Sequence, residues 1–193
     1  MPQLRPISVV VHNERGVLAR VAALFARRGF NIVSLAVGET HQPQLSRISV
    51  VVQADEAQAR QVVKQLERLV CVRQVAELSD QQRVERGLAL IKVRADSRTR
   101  GEIAELARIF RARVDHVGSD QVIVEVSGRR DKVQALIDLL RPYGILEMAR
   151  TGPVVLSREQ TLAVEQEESE ETQAPSQQER GADQEVYHLT QTA

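Results

Sequence analysis

The apolar residues of this chain repeat one order of strand and helix periodicity twice, and this repeat constrains the fold more than any other feature. Alternating apolar residues indicate strands, whereas spacings of three and four indicate helices. The first half contains a strand at 7–11, a helix at 17–25, strands at 30–38 and 48–52, a helix capped by Asp55, and an apolar run at 72–78. The predicted order is therefore strand, helix, strand, strand, helix, strand.

The second half predicts the same order with little sequence identity. Its elements are a strand at 88–93, a helix at 103–110, strands at 114–117 and 122–126, a helix over 133–140 ended by Pro142, and a strand at 145–149. Such units form a four-stranded antiparallel sheet with both helices on one face. We therefore predict an α/β fold of the α+β sandwich type, with two ferredoxin-like βαββαβ domains at 1–78 and 88–157 and a linker at 79–87.

The remainder of the chain differs in charge and composition. Residues 1–157 carry a formal charge of +7, whereas residues 158–193 carry −7 and few large apolar side chains. Such a segment buries too little apolar surface to offset the entropy of ordering, so we predict a disordered acidic tail at 158–193. A single cysteine, no signal peptide and no apolar run of membrane-spanning length predict a soluble, cytoplasmic protein.

The sequence shows no pattern that predicts catalysis or a bound cofactor. Its histidines stand alone at positions 12, 41, 116 and 188, and no metal-ligand spacing, nucleophile elbow or phosphate-binding glycine loop occurs. Cys71 is predicted to be a buried structural thiol. We expect no catalytic residue, metal or cofactor in this chain.

An RNA-binding module has the same order of elements, and the basic charge of residues 1–157 is compatible with that alternative. RNA-binding modules of this kind stack bases on aromatic side chains of the central strands. The matching strands, 7–11 and 48–52, contain no Phe, Tyr or Trp. The sequence therefore predicts no nucleic-acid partner.

The turn from Asn13 to Gly16 has the character of a binding site. It joins a strand to a helix, where backbone N–H groups and the positive end of the helix attract a carboxylate. Gly16 permits a positive φ and leaves the main chain accessible, and Asn13 and Asn31 offer uncharged polar groups. The alternative is that Asn13 and Gly16 only form a tight turn and cap the helix, and the chemistry of these residues leaves both interpretations open.

Two runs in the first half carry a family resemblance. Residues 12–21 (HNERGVLARV) and 24–32 (LFARRGFNI) closely resemble the regulatory subunits of acetolactate synthase. Shorter matches occur at 34–38, 45–47, 64–66, 89–93, 109–112 and 147–152, so the resemblance spans residues 4–158. The N-x-x-G-V-L core alone would indicate only an amino-acid-sensing ACT domain.

This resemblance implies that residues 1–78 form an ACT domain that pairs with a second copy. A branched-chain amino acid, with valine as the first candidate, would bind at the dimer interface. The implied contacts are Asn13, Gly16, Val17 and Leu18 from one chain and Asn31 and Ile32 from its partner. Val33 departs from the acidic residue of many relatives, and the acidic tail extends beyond the short family members.

The resemblance also implies a partner, the catalytic large subunit of acetolactate synthase, which carries thiamine diphosphate, Mg and FAD. The chain would raise the activity of that subunit and confer feedback inhibition in valine, leucine and isoleucine biosynthesis. A free-standing ACT regulator of another enzyme or of a transcription complex is the alternative. An acylphosphatase would also share the fold, but the glycine-rich pattern that it needs around Arg15 is missing.

Overall fold

The computed structural model describes residues 3–78 and 83–159. The first domain consists of β1 (Gln3–His12), α1 (Val17–Arg28), β2 (Ile32–Glu39), β3 (Leu45–Ala54), α2 (Glu56–Leu66) and β4 (Val72–Glu77). Its four strands are antiparallel to their neighbours, in the order β2-β3-β1-β4. This arrangement confirms the predicted ferredoxin-like order for the first half of the chain.

The core of the first domain lies between this sheet and the two helices. Alternate residues of β1 and β3, such as Val9 and Val50, are fully buried against an apolar stripe on α1 that includes Val21 and Phe25. The sequence predicts the C-terminus of α1 and the N-terminus of α2 correctly. Gly29 adopts a left-handed conformation with φ 69° at the end of α1, and the Asp55 carboxylate caps α2.

The second domain repeats the topology. Its elements are β5 (Arg83–Arg94), α3 (Thr99–Ile109), β6 (Arg113–Val117), β7 (Gln121–Gly128), α4 (Arg130–Leu140), β8 (Ile145–Arg150) and β9 (Val154–Ser157). The main sheet has the order β6-β7-β5-β8, and Pro142 lies in a 3₁₀ turn that follows α4. In residues 3–78 and 83–159, no helix is long and apolar enough to cross a membrane.

The start of the second domain differs from the sequence prediction. Residues 83–87, which their Gln- and Arg-rich composition assigned to the linker, belong to β5 because Arg83–Arg86 pair with β9. That pairing spans more than 65 residues of chain, and the sequence pattern did not indicate β9. The rest of the predicted linker, 79–82, lies outside the described residues, and so does the predicted tail from residue 160 onward.

The two domains are in direct contact. β9 lies over the face of the first sheet that points away from its helices, where the Val155 N–H donates to Ser49 Oγ at 3.3 Å. Ser8 and Val51 are also buried on that face. Gly152 lies so close to β2 that an added Cβ would be 2.9 Å from the carbonyl carbon and oxygen of Leu35. The first sheet therefore has its helices on one face and β9 on part of the other.

Candidate functional site

Two hydrogen bonds from Asn13 hold the turn between β1 and α1 in place. The Asn13 backbone N–H donates to the Gln44 carbonyl at 2.7 Å, and its Nδ2 donates to the Pro43 carbonyl at 3.1 Å. Asn13 thus ties the turn to the loop between β2 and β3. It does not cap α1, because Gly16 is the N-cap residue and the helix has no side-chain cap.

Gly16 provides an open approach to the start of α1. It has φ 79° and ψ 2°, it is exposed, and a Cβ built on it would meet no atom within 4 Å. The Gly16 carbonyl accepts the Arg20 N–H, and the Val17 N–H donates to the Glu14 carbonyl. Among the described residues, the N–H groups of Leu18 and Ala19 have no acceptor.

The electrostatics of this turn suit an anion. The positive end of the 12-residue helix α1 lies here, and its first turn contains no acidic side chain. Arg20 donates to the Arg15 carbonyl at 3.3 Å and lies 3.4 Å from the Glu14 carboxylate. The side chain of Arg15 is exposed. Two free N–H groups at the end of a helix can bind a carboxylate.

The apolar members of the predicted site lie in different environments. Val17 is buried in the core, with 7% of its surface exposed, whereas Leu18 is 40% exposed beside the free N–H groups. The side chain of Val17 therefore supports the start of α1 from inside. Leu18 is the apolar side chain that a ligand at Gly16 could contact.

Asn31 and Ile32 lie at the other end of the domain. They follow α1, whose 12 residues rise by about 18 Å. Because β2 runs parallel to β1, the start of β2 lies at the end of the sheet where β1 begins, away from the turn at Asn13. Asn31 is exposed, and Ile32 packs partly against the core. Within one chain, the structure brings together Asn13, Gly16 and Leu18 but not these two residues.

The described ranges 3–78 and 83–159 show no cluster of metal-binding side chains. These residues contain no group of three or more His, Cys, Asp or Glu that could hold a metal ion. Cys71 is buried, as the sequence predicts, although it precedes β4 and does not lie within the strand.

A second concave region, which the sequence did not indicate, lies between the two domains. It is lined by residues of β1, β2 and β3 on one side and by the start of α4, including Arg130, on the other. These residues are distant in the sequence. No local motif could have revealed their proximity, because it depends on how β9 docks on the first sheet.

Two family models match this chain. The model described as "AHAS small subunit-like ACT domain" matches residues 7–74, and the model described as "Small subunit of acetolactate synthase" matches residues 86–159. Together they include both folded domains and the candidate turn at 13–18.

Individual proteins give the same result. The acetolactate synthase small subunit of Aquifex aeolicus is 48% identical over 165 residues, which are 85% of each chain. The acetolactate synthase small subunit of Mycolicibacterium smegmatis is 47% identical over 79% of this chain and 89% of its own. The crystal structure of the small subunit from Thermotoga maritima superposes with a TM-score of 0.76 at 44% identity, over 81% of this chain and 98% of that one.

Proposed function

Because this chain belongs to the family of acetolactate synthase small subunits, we propose that it binds the catalytic large subunit, raises its activity and makes it inhibitable by a branched-chain amino acid. Family membership gives the chain a regulatory role in acetolactate synthase. In the proposal, the reaction and its thiamine diphosphate, Mg and FAD belong to the large subunit, and valine is the first candidate effector.

The observation that supports effector binding most directly is the open turn at Gly16. A left-handed glycine leaves space above the main chain, and the free N–H groups of Leu18 and Ala19 point out of the positive end of α1. A ligand carboxylate would accept from these N–H groups. The exposed part of Leu18 would then contact the branched side chain of the effector.

The complete site would require two copies of the chain. Asn31 and Ile32 lie about 18 Å from Gly16 along α1 in the same chain, so they can reach an effector there only from a partner. β2 is an edge strand of the first sheet, and Val37 on it is 45% exposed. An exposed edge strand is a surface on which a second chain can pair. We therefore include a homodimer through the ACT domain in the proposal.

An effector acts only through its different affinities for two states of the complex. Couplings of this kind are typically about 1–3 kcal/mol, or roughly 5- to 150-fold. The amino acid would bind more tightly to a less active arrangement of the two subunits. Valine, leucine and isoleucine differ by one methylene or its position, which changes binding in an apolar pocket by about 1–3 kcal/mol.

The decisive experiment is acetolactate formation by the matching catalytic subunit, with and without this chain, across a valine titration. Activation together with inhibition by valine would support the whole proposal. Activation without inhibition would keep the subunit assignment and require leucine and isoleucine titrations. No effect on activity would reject the proposal and favour a free-standing sensor, which co-purification with a different partner would identify.

A pair of glycine variants tests the position of the site. Gly16→Asp places a negative side chain where the carboxylate would bind, so feedback inhibition should disappear while activation persists. Gly144→Asp is the matched control, because Gly144 also has a positive φ, 93°, and room for a Cβ, but it lies in the second domain. Retained inhibition in Gly16→Asp, or equal loss in both variants, would contradict the site assignment.

A further inference from the structure

The cleft between the two domains has the size and composition of a ligand site. Its volume is about 600 Å³, within the range of about 300–1,000 Å³ that is common for small-molecule pockets. One wall is apolar and comes from the first sheet. Its members include Leu4, Pro6 and Val51. The opposite wall is formed by charged residues at the start of α4 and the end of β8.

Two arginines on the charged wall have no carboxylate partner among the described residues. Arg150 donates to the neutral Oε1 of Gln134 at 3.2 Å, and the Arg130 side chain has no hydrogen bond or ion pair within 3–78 and 83–159. Partial burial, and then the positive charge of Arg130, hold the pKa of Arg150 below its ordinary value. Two guanidinium groups that repel each other favour an anion between them.

The acidic residues of the cleft are already paired. Glu85 lies 3.1 Å from Arg83, and Asp131 lies 3.9 Å from Arg129. Each of these pairs is neutral overall, so the charge that remains in the cleft comes from Arg130 and Arg150. The cleft therefore attracts an anion, and its apolar wall favours one with an apolar body.

The first domain contributes an unsatisfied polar group to the same cleft. Ser34 lines it, and Ser34 Oγ is inaccessible to solvent without a hydrogen-bond partner in the described part of the chain. The pairing of β2 with β3 shifts register between Ile32 and Ser34, so Ile32 and Leu35 both pack on the core while Val33 and Ser34 face the cleft.

We propose that this cleft binds a small organic monocarboxylate with an apolar body. The carboxylate bridges Arg130 and Arg150, and the apolar body lies against Leu4 and Val51. The ligand touches both domains, and Ser34 is separated from Ile32 by a single bulged residue. Occupancy of the cleft therefore affects the strand that carries part of the effector site. This last coupling rests on the proposed function, whereas binding itself does not.

The test is a calorimetric titration of the full-length chain with 4-methylpentanoate, which has one carboxylate and a branched apolar body. Two comparators test the contribution of each wall to binding. 4-Methylpentanamide lacks the charge that the arginines would bind, and acetate lacks the apolar body. Both should bind at least tenfold more weakly. Inorganic phosphate should also bind more weakly, because it has no apolar body to contact Leu4 and Val51.

Variants locate the binding. Arg130→Gln and Arg150→Gln should each weaken 4-methylpentanoate binding at least tenfold, whereas Arg141→Gln should not. Arg141 is the matched control because it lies at the far end of α4, exposed and 3.2 Å from Asp138. Thermal unfolding of each variant checks that the fold persists, and amide chemical shifts should change at Ser34 and Val133 on ligand addition.

Three results would overturn the proposal: no binding at 10 mM ligand, equal binding of the amide, or unchanged binding in Arg130→Gln and Arg150→Gln. The Gly16→Asp variant separates this site from the effector site. It should retain 4-methylpentanoate binding in the cleft even though valine no longer binds at the turn. Cleft binding by the unmodified chain, together with no valine sensitivity of the enzyme that it activates, would reject only the proposed effector function.

Discussion

The contact between Gly152 and β2 makes a specific prediction about how the domains are held together. In Gly152→Ala, the new Cβ would lie 2.9 Å from the carbonyl carbon and oxygen of Leu35 and 3.1 Å from its nitrogen. Ordinary van der Waals contacts are 3.4–4 Å, so the gap must widen by about 0.5 Å. All three atoms belong to the backbone of a paired strand, so none of them can rotate away.

The expected cost follows from this geometry. Overpacking a close contact costs about 1–3 kcal/mol, and replacing glycine by alanine recovers about 0.4–1 kcal/mol by restricting the unfolded chain. We expect the docked arrangement to lose about 1–2 kcal/mol, which is roughly a 5- to 30-fold change in an equilibrium constant. Each domain has its own buried core, so the variant should loosen the interface and leave both domains folded.

Hydrogen exchange is the suitable assay, because the Val155 N–H is buried and donates to Ser49 across the interface. This amide should exchange faster in Gly152→Ala, while core amides such as that of Val50 keep their protection. Gly87→Ala is the matched control, because a Cβ at Gly87 would lie 4.0 Å from its nearest neighbours in the same cleft. Unchanged exchange at Val155 in Gly152→Ala, or equally faster exchange in Gly87→Ala, would refute the reasoning.

Three further predictions concern the helix termini. Asp55→Ala removes the carboxylate that accepts the Gln58 N–H at 2.8 Å and leaves the bond from the Asp55 N–H to Gln58 Oε1, so it should lower the free energy of unfolding by about 1 kcal/mol in urea. Gly29→Ala has room for its Cβ but keeps φ 69°, so it should cost about 1–2 kcal/mol and lower the Tm. Hydrogen bonds from the N–H and hydroxyl of Thr99, with a smaller contribution from the Arg98 N–H, hold the pKa of Asp96 below its ordinary 3.8. This stabilisation is present above pH 3.8 and is lost as the pH falls through the lower folded-state pKa, so NMR titration should give a low pKa that Thr99→Ala raises.

The local features of the fold were predictable because each rests on a few neighbouring residues. Alternation in β1 and β3 predicted which face packs on the helices, and Asp55 predicted the start of α2. The positive φ of Gly16 followed from the same kind of reasoning, since a strand-to-helix turn needs a residue without a Cβ. These predictions were confirmed at nearly the expected positions.

The features that the sequence did not predict depend on distant pairing. β9 is a four-residue strand, and its partner residues in β5 are mostly charged, so neither segment shows strand periodicity by itself. The register shift near Val33 likewise arises from pairing with β3. Because of these two features, the sequence predicted neither the covered face of the first sheet nor the cleft. The turn at Gly16 was identifiable, but its relation to Asn31 required the length of α1.

The separation of Gly16 and Asn31 within one chain would also link effector binding to assembly of the dimer. If Gly16 from one chain and Asn31 from another hold the same amino acid, the ligand binds the dimer and not the separated chains. Anything that binds only one state stabilises it by RT ln(1 + [L]/Kd), about 2.7 kcal/mol at a hundredfold excess over Kd. Valine would then strengthen pairing across β2, and the chain would sense the amino acid with an apparent affinity that depends on its own concentration. A site built within a single chain would show neither dependence, so this linkage is the thermodynamic signature of the shared site.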